Sequence, residues 1–319
     1  MPPSPCKLTN VMDAPIGCGT ALVTPFRADG SLDEHTLYNL AQWQVESGID
    51  WIVACGTTAE TPTLTDEEWL RVIRIIAEAV AGRVPVWAGA THNSTREAAH
   101  RAALAAQIPG VTAILSANPY YNKPNQQGQF EHFRAVAQAT QLPVILYNIP
   151  GRTGTNLEPA TVLQLIDAAP NIAGVKESSG NLPQITELLT LVPRSFHVYA
   201  GDDNMALGVI ALGGSGLVSV ASNQIPGAMA EMIHAALANE WTTARRLNRK
   251  YFRLLQANFW ETSPGPVKAI MTMMGKLEEH YRLPIVPVAP STRARLERLA
   301  GELGLLVHGP QVDGDPGLF

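Results

Sequence analysis

The 319-residue sequence predicts an α/β fold, a (β/α)8 barrel followed by a small all-helical module. Three observations carry that expectation. From residue 18 onward, short apolar or β-branched runs alternate with helix-period stretches; the runs number eight; and after about residue 240 they stop. Alternation of strands with helices builds a parallel sheet, and eight repeats favour a closed barrel over an open, doubly wound sheet. No GxGxxG follows the first run, which counts further against the open sheet.

The strand candidates are TALVTPF (20–26), WIVACG (51–56), PVWAGA (85–90), TAILSANP (112–119), PVILYNIP (143–150), IAGVK (172–176), FHVYAGDD (196–203) and GLVSVAS (216–222). Helix starts are marked by Ser31-x-x-Glu34, Thr65-x-x-Glu68 and Ser94-x-x-Glu97, each fitting a capping box that satisfies otherwise unpaired backbone donors. In the second helix Leu70, Ile73, Ala77 and Val80 share one stripe, as a sheet-covering helix requires. Residues 241–259, 264–277 and 291–307 read as three further helices, with a Pro-rich link, LPIVPVAP, before the last. The expected boundaries are a TIM-type catalytic barrel over 14–239, a helical module over 240–308, and flexible termini at 1–13 and 309–319.

Composition narrows the function. A net charge of −5 argues against a nucleic-acid or anionic-membrane partner. No apolar run approaches the ~18 residues of a membrane helix. The opening MPPSPCKLTNVMDAP has no hydrophobic signal core, so a cytoplasmic location is expected. Cys6, Cys18 and Cys55 are too few and too scattered for a disulfide framework or a zinc pair, and read as reduced thiols.

In such barrels the chemistry sits at the C-terminal ends of the strands. There the sequence places Lys176 closing strand six, Thr57 and Thr58 after strand two, Tyr120 and Tyr121 after strand four, Tyr147 near the end of strand five, and Arg152 just beyond it. A lysine at an apolar barrel mouth is desolvated, which disfavours the ammonium. The neutral amine attacks a ketone to form a Schiff base, whose iminium is an electron sink for carbanion chemistry. A phenol such as Tyr147 can move the protons, Thr57 and Thr58 can hold a carboxylate, and Arg152 can grip a second one through its fork. Together these parts make an aldolase of small α-keto acids. Each residue alone has an ordinary reading: a snorkelling lysine, a helix-capping threonine pair, packing tyrosines, a solvated loop arginine. The weight lies in their shared rim.

Other chemistries fit less well. A metal-dependent aldolase needs several His or acidic ligands at the rim. Of the histidines, His92 alone is expected there, whereas His197 opens its strand on the opposite face. Asp202 and Asp203 stand at the rim without His partners. The glycine cluster Gly213-Gly214-Ser215-Gly216 precedes strand eight, away from where a phosphate cradle belongs. An acidic rim after strand seven also disfavours a phosphorylated substrate. No metal and no cofactor are expected, the keto acid itself being bound covalently as substrate.

With these residues in place, the sequence resembles the dihydrodipicolinate synthase/N-acetylneuraminate lyase family of pyruvate-dependent class I aldolases. The resemblance spans about residues 14–306 and runs through GTTAE, NPYYNKP, YNIPGRTG, GVKESSGN and AGDDN, in the family's order. It implies that Lys176 forms the Schiff base with pyruvate and that Tyr147 donates and accepts protons. Thr57 and Tyr121 complete a proton relay, Tyr121 reaching into a neighbouring subunit's site. Thr58 holds the pyruvate carboxylate, Val218 presents its backbone to pyruvate, and Arg152 binds the carboxylate of L-aspartate 4-semialdehyde at the entrance.

Arg152 favours the synthase branch, which condenses pyruvate with L-aspartate 4-semialdehyde to 4-hydroxy-tetrahydrodipicolinate on the route to lysine and diaminopimelate. The alternatives are a pyruvate-dependent aldolase or lyase acting on a 2-keto-3-deoxy sugar acid or an N-acetylneuraminate-like substrate, and a catalytically silent barrel that only binds a keto acid. The resemblance also implies a homotetramer, a dimer of dimers, and an allosteric lysine site at Asn93, Glu97 and Tyr120. Two departures stand out. Asp66 and Trp69 occupy positions where lysine-sensitive members can carry histidine, which puts feedback inhibition in doubt. Ala59 replaces the last glycine of GTTGE, a strained change if φ is positive there and a mild one if the position is helical.

Overall fold

Eight parallel strands close into a barrel in chain order in the computed structural model, which describes residues 14–307. The termini expected at 1–13 and 309–319, with Cys6, lie outside the described residues. The first half of the barrel is β1 (Gly17–Ala21), β2 (Trp51–Ala54), β3 (Val86–Gly89) and β4 (Val111–Ala117). The second is β5 (Val144–Asn148), β6 (Ile172–Glu177), β7 (His197–Ala200) and β8 (Gly216–Ser219), and β8 pairs back onto β1. Helices α1 (Glu34–Glu46), α2 (Asp66–Val80), α3 (Thr95–Ala105) and α4 (Gln126–Gln138) follow the first four strands. A short α5 (Pro150–Thr153) and then α6 (Pro159–Ala168) follow β5. The ring continues with α7 (Leu182–Leu191), α8 (Ala206–Ala211) and α9 (Pro226–Leu237). Beyond it come α10 (Trp241–Ala257), α11 (Gly265–Met273) and α12 (Pro290–Glu302). No helix among the described residues is long and apolar enough to cross a membrane.

The first strand departs from expectation. It runs over Gly17–Ala21 rather than 20–26, and Leu22–Pro25 continue as irregular chain. GCGTA hides its strand character because glycine carries no side chain to display a two-residue period. Gly19 is nonetheless required: a Cβ there would lie 2.1 Å from Trp51 Cε2. The space it leaves admits Trp51 to the barrel interior, where Trp51, Trp87 and Tyr199 pack with ring centroids 4.9–5.4 Å apart. Tyr199 also donates its hydroxyl to the Pro15 carbonyl at 2.7 Å. The interior is thus a filled core beneath the rim, each large side chain contributing about 1.5–3 kcal/mol of burial.

The capping signals were uneven guides. At Thr65 the reciprocal box forms, Glu68 N donating to Thr65 Oγ1 at 3.2 Å and Thr65 N to Glu68 Oε2 at 3.0 Å. Helix α1 instead starts after Asp33, whose carboxylate accepts from Thr36 N at 3.1 Å, while Ser31 is held by Asp29. Asp33 wins because a charged acceptor binds the free N–H groups more strongly than a hydroxyl. Ser94 precedes α3 as expected, yet its side chain makes no cap bond and its N–H donates to His92 Nδ1 at 2.9 Å. Along α2, Ile73, Ala77 and Val80 are buried, with Leu70 partly covered against the same core.

Candidate active site

Strands β5 and β6 end together at the rim, in a register that pairs Tyr147 with Lys176 and Asn148 with Glu177. Alternation along a strand sends successive side chains to opposite faces. Tyr147 and Lys176 therefore enter the barrel, while Asn148 and Glu177 face the helices. Lys176 is 5% exposed, and its Nζ stands 4.2 Å from the centroid of the Tyr147 ring. Room for the lysine comes from Gly201, where a Cβ would lie 2.8 Å from Lys176 Cε and 2.0 Å from Ser178 Oγ.

On the outer side of the same seam, Asn148 Nδ2 donates to Glu177 Oε2 at 3.1 Å and to Asn156 Oδ1 at 2.9 Å. Ser179 N donates to Glu177 Oε1 at 2.7 Å. Burial pushes the Glu177 carboxyl above the usual carboxylate range, opposed by these hydrogen bonds. A polar clamp thus binds β5 to β6 directly behind Tyr147 and Lys176.

After β2 the chain turns through two short 3-10 segments, Thr57–Ala59 and Thr61–Thr63. Ala59 is helical and buried, so its replacement of glycine is the mild case. The left-handed residue is Glu60, at φ 54°. Thr61 Oγ1 ties the second segment back to the Gly56 carbonyl at 2.8 Å. Glu60 is buried, and Lys268 Nζ of α11 lies 2.5 Å from its Oε1. Burial pulls the Lys268 ammonium below its usual range, opposed by the attraction of Glu60.

A cavity of about 300 Å³ opens at this end of the barrel. Its wall includes Thr57, His92, Arg101, Tyr120, Tyr147 and Arg152. Of the residues expected to act together, Thr57, Tyr147, Arg152 and Tyr120 meet there. Lys176 lies over the Tyr147 ring rather than in the wall itself, and Thr58, which is buried, is not part of the wall either. Val218, on β8, belongs to the same inward-facing cluster as Tyr147. Arg152 is exposed on α5, its Nη2 donating at 3.4 Å to the Ser263 carbonyl. Tyr121 is 86% exposed and left-handed at φ 74°, away from the cavity wall of its own chain.

Of the remaining candidates, Tyr120 faces His92 with centroids 6.4 Å apart, and Asn93 accepts at its carbonyl from Asn122 Nδ2 at 2.9 Å. Glu97 pairs with Arg96 at the surface. Trp69 is buried and donates to the Gly89 carbonyl at 3.0 Å, with the Arg101 guanidinium 5.5 Å above its ring and in turn paired with Asp66.

Asp203 corrects the expectation of a charged rim after β7. It is wholly buried and accepts from Ser219 Oγ at 2.5 Å, Val220 N at 3.1 Å and Ala221 N at 3.2 Å, so it braces the turn after β8 instead of facing the mouth. Burial raises its carboxyl above the ordinary range. His197 opens β7 as expected, at the opposite end from the cavity. Among the described residues no group of three His, Cys, Asp or Glu side chains is placed to hold a metal ion.

Sequence reading missed Gly201, Glu177 and Lys268. An acidic residue directly after a strand-end lysine, and a lysine inside the apolar run PGPVKAIM, were the available signals. Their partners are distant in the chain, so spacing alone did not connect them.

Residues 14–303 match the profile of the Dihydrodipicolinate synthetase family. A 4-hydroxy-tetrahydrodipicolinate synthase of Acidobacterium capsulatum is 74% identical over 294 residues, 92% of this chain and 97% of that one. One from Koribacter versatilis is 56% identical over 91% of this chain and 96% of its own. Among solved structures, a chloride-inhibited dihydrodipicolinate synthase from Acinetobacter baumannii, complexed with pyruvate, superposes with a TM-score of 0.89 at 38% identity. That match covers 92% of this chain and all of the other.

Proposed function

The chain belongs to the dihydrodipicolinate synthetase family, and from that premise we propose that it condenses pyruvate with L-aspartate 4-semialdehyde to 4-hydroxy-tetrahydrodipicolinate. This is an aldolase-type lyase reaction on the route to diaminopimelate and lysine. The observation that carries the reading is the Tyr147–Lys176 pair, set side by side at the rim of β5 and β6 beneath a cavity whose wall includes Arg152.

In this reading the site residues take the following roles. Lys176 attacks the pyruvate carbonyl carbon, and loss of one water leaves the iminium. The electron sink is thus made from lysine and substrate, with no further cofactor. Removal of a proton from the pyruvate methyl gives the enamine, which attacks the aldehyde carbon of the semialdehyde. Tyr147, next to Lys176 and in the cavity wall, serves as the acid–base group, with Thr57 on the same wall as its partner. Thr58 and the backbone at Val218 hold the pyruvate end. Arg152, exposed at the mouth, grips the semialdehyde carboxylate. Attack of the semialdehyde's amino group on the iminium carbon then closes the ring and frees Lys176.

Tyr121 fits this scheme through a second copy of the chain. An exposed aromatic residue in a left-handed conformation at the rim suits a side chain lent across an interface, and supports reading the protein as a homotetramer built from dimers. Asn93, Glu97 and Tyr120 are the residues read as a regulatory lysine site.

The test is a coupled assay with pyruvate, L-aspartate 4-semialdehyde, dihydrodipicolinate reductase and NADPH, run beside Lys176→Ala. NADPH loss that needs both substrates and vanishes in the variant supports the proposal. Well-folded protein that forms the pyruvate imine but does not turn over the semialdehyde would overturn it and redirect the search to sugar-derived keto acids.

A further inference from the structure

Lys268 is fully buried, yet it stands on α11, outside the barrel. Besides the 2.5 Å approach to Glu60, its Nζ donates at 2.9 Å to the His280 carbonyl. The rings of Phe26 and Tyr281 close over it at 4.5 and 5.2 Å. The second oxygen of Glu60 accepts from Arg282 N at 3.2 Å. A pair so completely withdrawn from water is a poor source of net stability, because lost hydration offsets the attraction. Its value must lie in what it holds in place.

What it holds is the turn that carries Thr57 and Thr58. Glu60 is the left-handed hinge between the two 3-10 segments, so the direction of its side chain and the path of the turn are set together. The far end of the same turn is held from the same segment. Arg282 Nη1 donates to the Thr63 carbonyl at 2.9 Å, and its guanidinium meets both oxygens of Glu68 at 2.6 Å. Residues 268–282 therefore grip the Thr57–Thr63 turn at its central hinge and at its far end.

We infer that Glu60 and Lys268 are positioning residues for catalysis: their buried ion pair lets the helices beyond the barrel set the Thr57 hydroxyl against Tyr147. The inference rests on the aldol reading above, in which Thr57 and Tyr147 share a proton path. It also gives the C-terminal helices a part in the chemistry although they contribute no wall to the cavity.

The experiment compares wild type with the double variant Glu60→Gln/Lys268→Met, which removes both charges at once and avoids stranding either. Two quantities are read on each folded protein: the fraction of chains trapped by borohydride with saturating pyruvate, and kcat in the coupled assay. A purely structural role lowers both in proportion. Positioning lowers kcat per trapped imine, by about 10- to 100-fold, while the trapped fraction stays near that of wild type. A folded double variant with wild-type kcat per imine would overturn the inference. If that variant fails to fold, Glu60→Gln/Lys268→Gln, which also removes both charges but keeps polar groups beside the His280 carbonyl and Arg282 N, carries the same comparison. Failure of both to fold would make the pair a structural support and overturn it as well. Absence of pyruvate trapping in wild type, by contrast, would strike the aldol reading itself.

Discussion

Tyr147 and Lys176 are direct neighbours across the β5–β6 seam, with the lysine nitrogen 4.2 Å from the centre of the tyrosine ring. The ring face stabilises a positive charge at that nitrogen, and so favours an iminium formed there. In the proposed reaction the hydroxyl has the separate task of moving protons.

Tyr147→Phe separates those two contributions. The ring remains and the hydroxyl is lost, so pyruvate imine should still be trapped by borohydride. Turnover should fall by about 10²- to 10⁴-fold, the usual worth of a positioned acid–base group. Loss of trapping in a folded variant would show that the hydroxyl is needed before the imine forms.

Gly201→Ala should injure the site without touching a reactive atom. The new methyl would meet Ser178 Oγ at 2.0 Å and Lys176 Cε at 2.8 Å. The lysine has to move, and imine formation in rapid-mixing experiments should slow by roughly tenfold or more. Wild-type trapping rates would mean the rim adjusts more freely than its packing suggests.

Arg152→Ala should split the two substrates. Arg152 is exposed and its contact to the Ser263 carbonyl is long, so thermal stability should change by no more than about 0.5 kcal/mol. Pyruvate trapping should be unchanged. Loss of a charge-assisted contact worth about 1.5–3 kcal/mol should lower kcat/KM for the semialdehyde by about 10- to 100-fold. An equal effect on both substrates would count against a carboxylate grip at the mouth.

Two histidines should bend the stability–pH curve in opposite directions. Burial, with a smaller contribution from His92, pulls His132 down to about 4, so the folded protein keeps it neutral. The unfolded chain takes up that proton near pH 6.5. Stability from this group is complete above 6.5 and is lost as pH falls toward 4, by about 3 kcal/mol in all. His234 behaves inversely, because its hydrogen bond to Asp50 at 2.7 Å raises it. Its contribution is complete below 6.5 and is lost as pH rises through the raised value. Urea unfolding from pH 4 to 9 should show the acid slope flattened in His132→Gln and the alkaline slope flattened in His234→Asn. Unchanged slopes would remove these groups as the cause.

The barrel was legible because its signals are local: apolar runs, polar turns and a recurrent helix period each lie within a dozen residues. The rim positions of Lys176, Tyr147, Thr57 and Arg152 followed from strand ends alone. What local pattern could not convey was which side chains stand opposite one another. Gly19 makes room for Trp51 and Gly201 for Lys176, and in a sequence both are merely glycines. Asp203 looked like a free rim charge because the Ser219 hydroxyl and the N–H groups that claim it lie on another strand end. The first strand was misplaced for the same reason, since Gly19 answers to Trp51, 32 residues away, as Cys18 N does in donating to Asp50.

The link between Glu60 and Lys268 spans 208 positions of the chain. At a ribosomal rate of about 5–20 residues per second, roughly 10–40 s separate the emergence of the carboxylate from that of the ammonium that will meet it. Through that interval the strands already made can begin to pair, but the turn bearing Thr57 lacks its counter-charge. The nascent polypeptide is therefore expected to stay well below full turnover until translation is nearly finished, with competence arriving late.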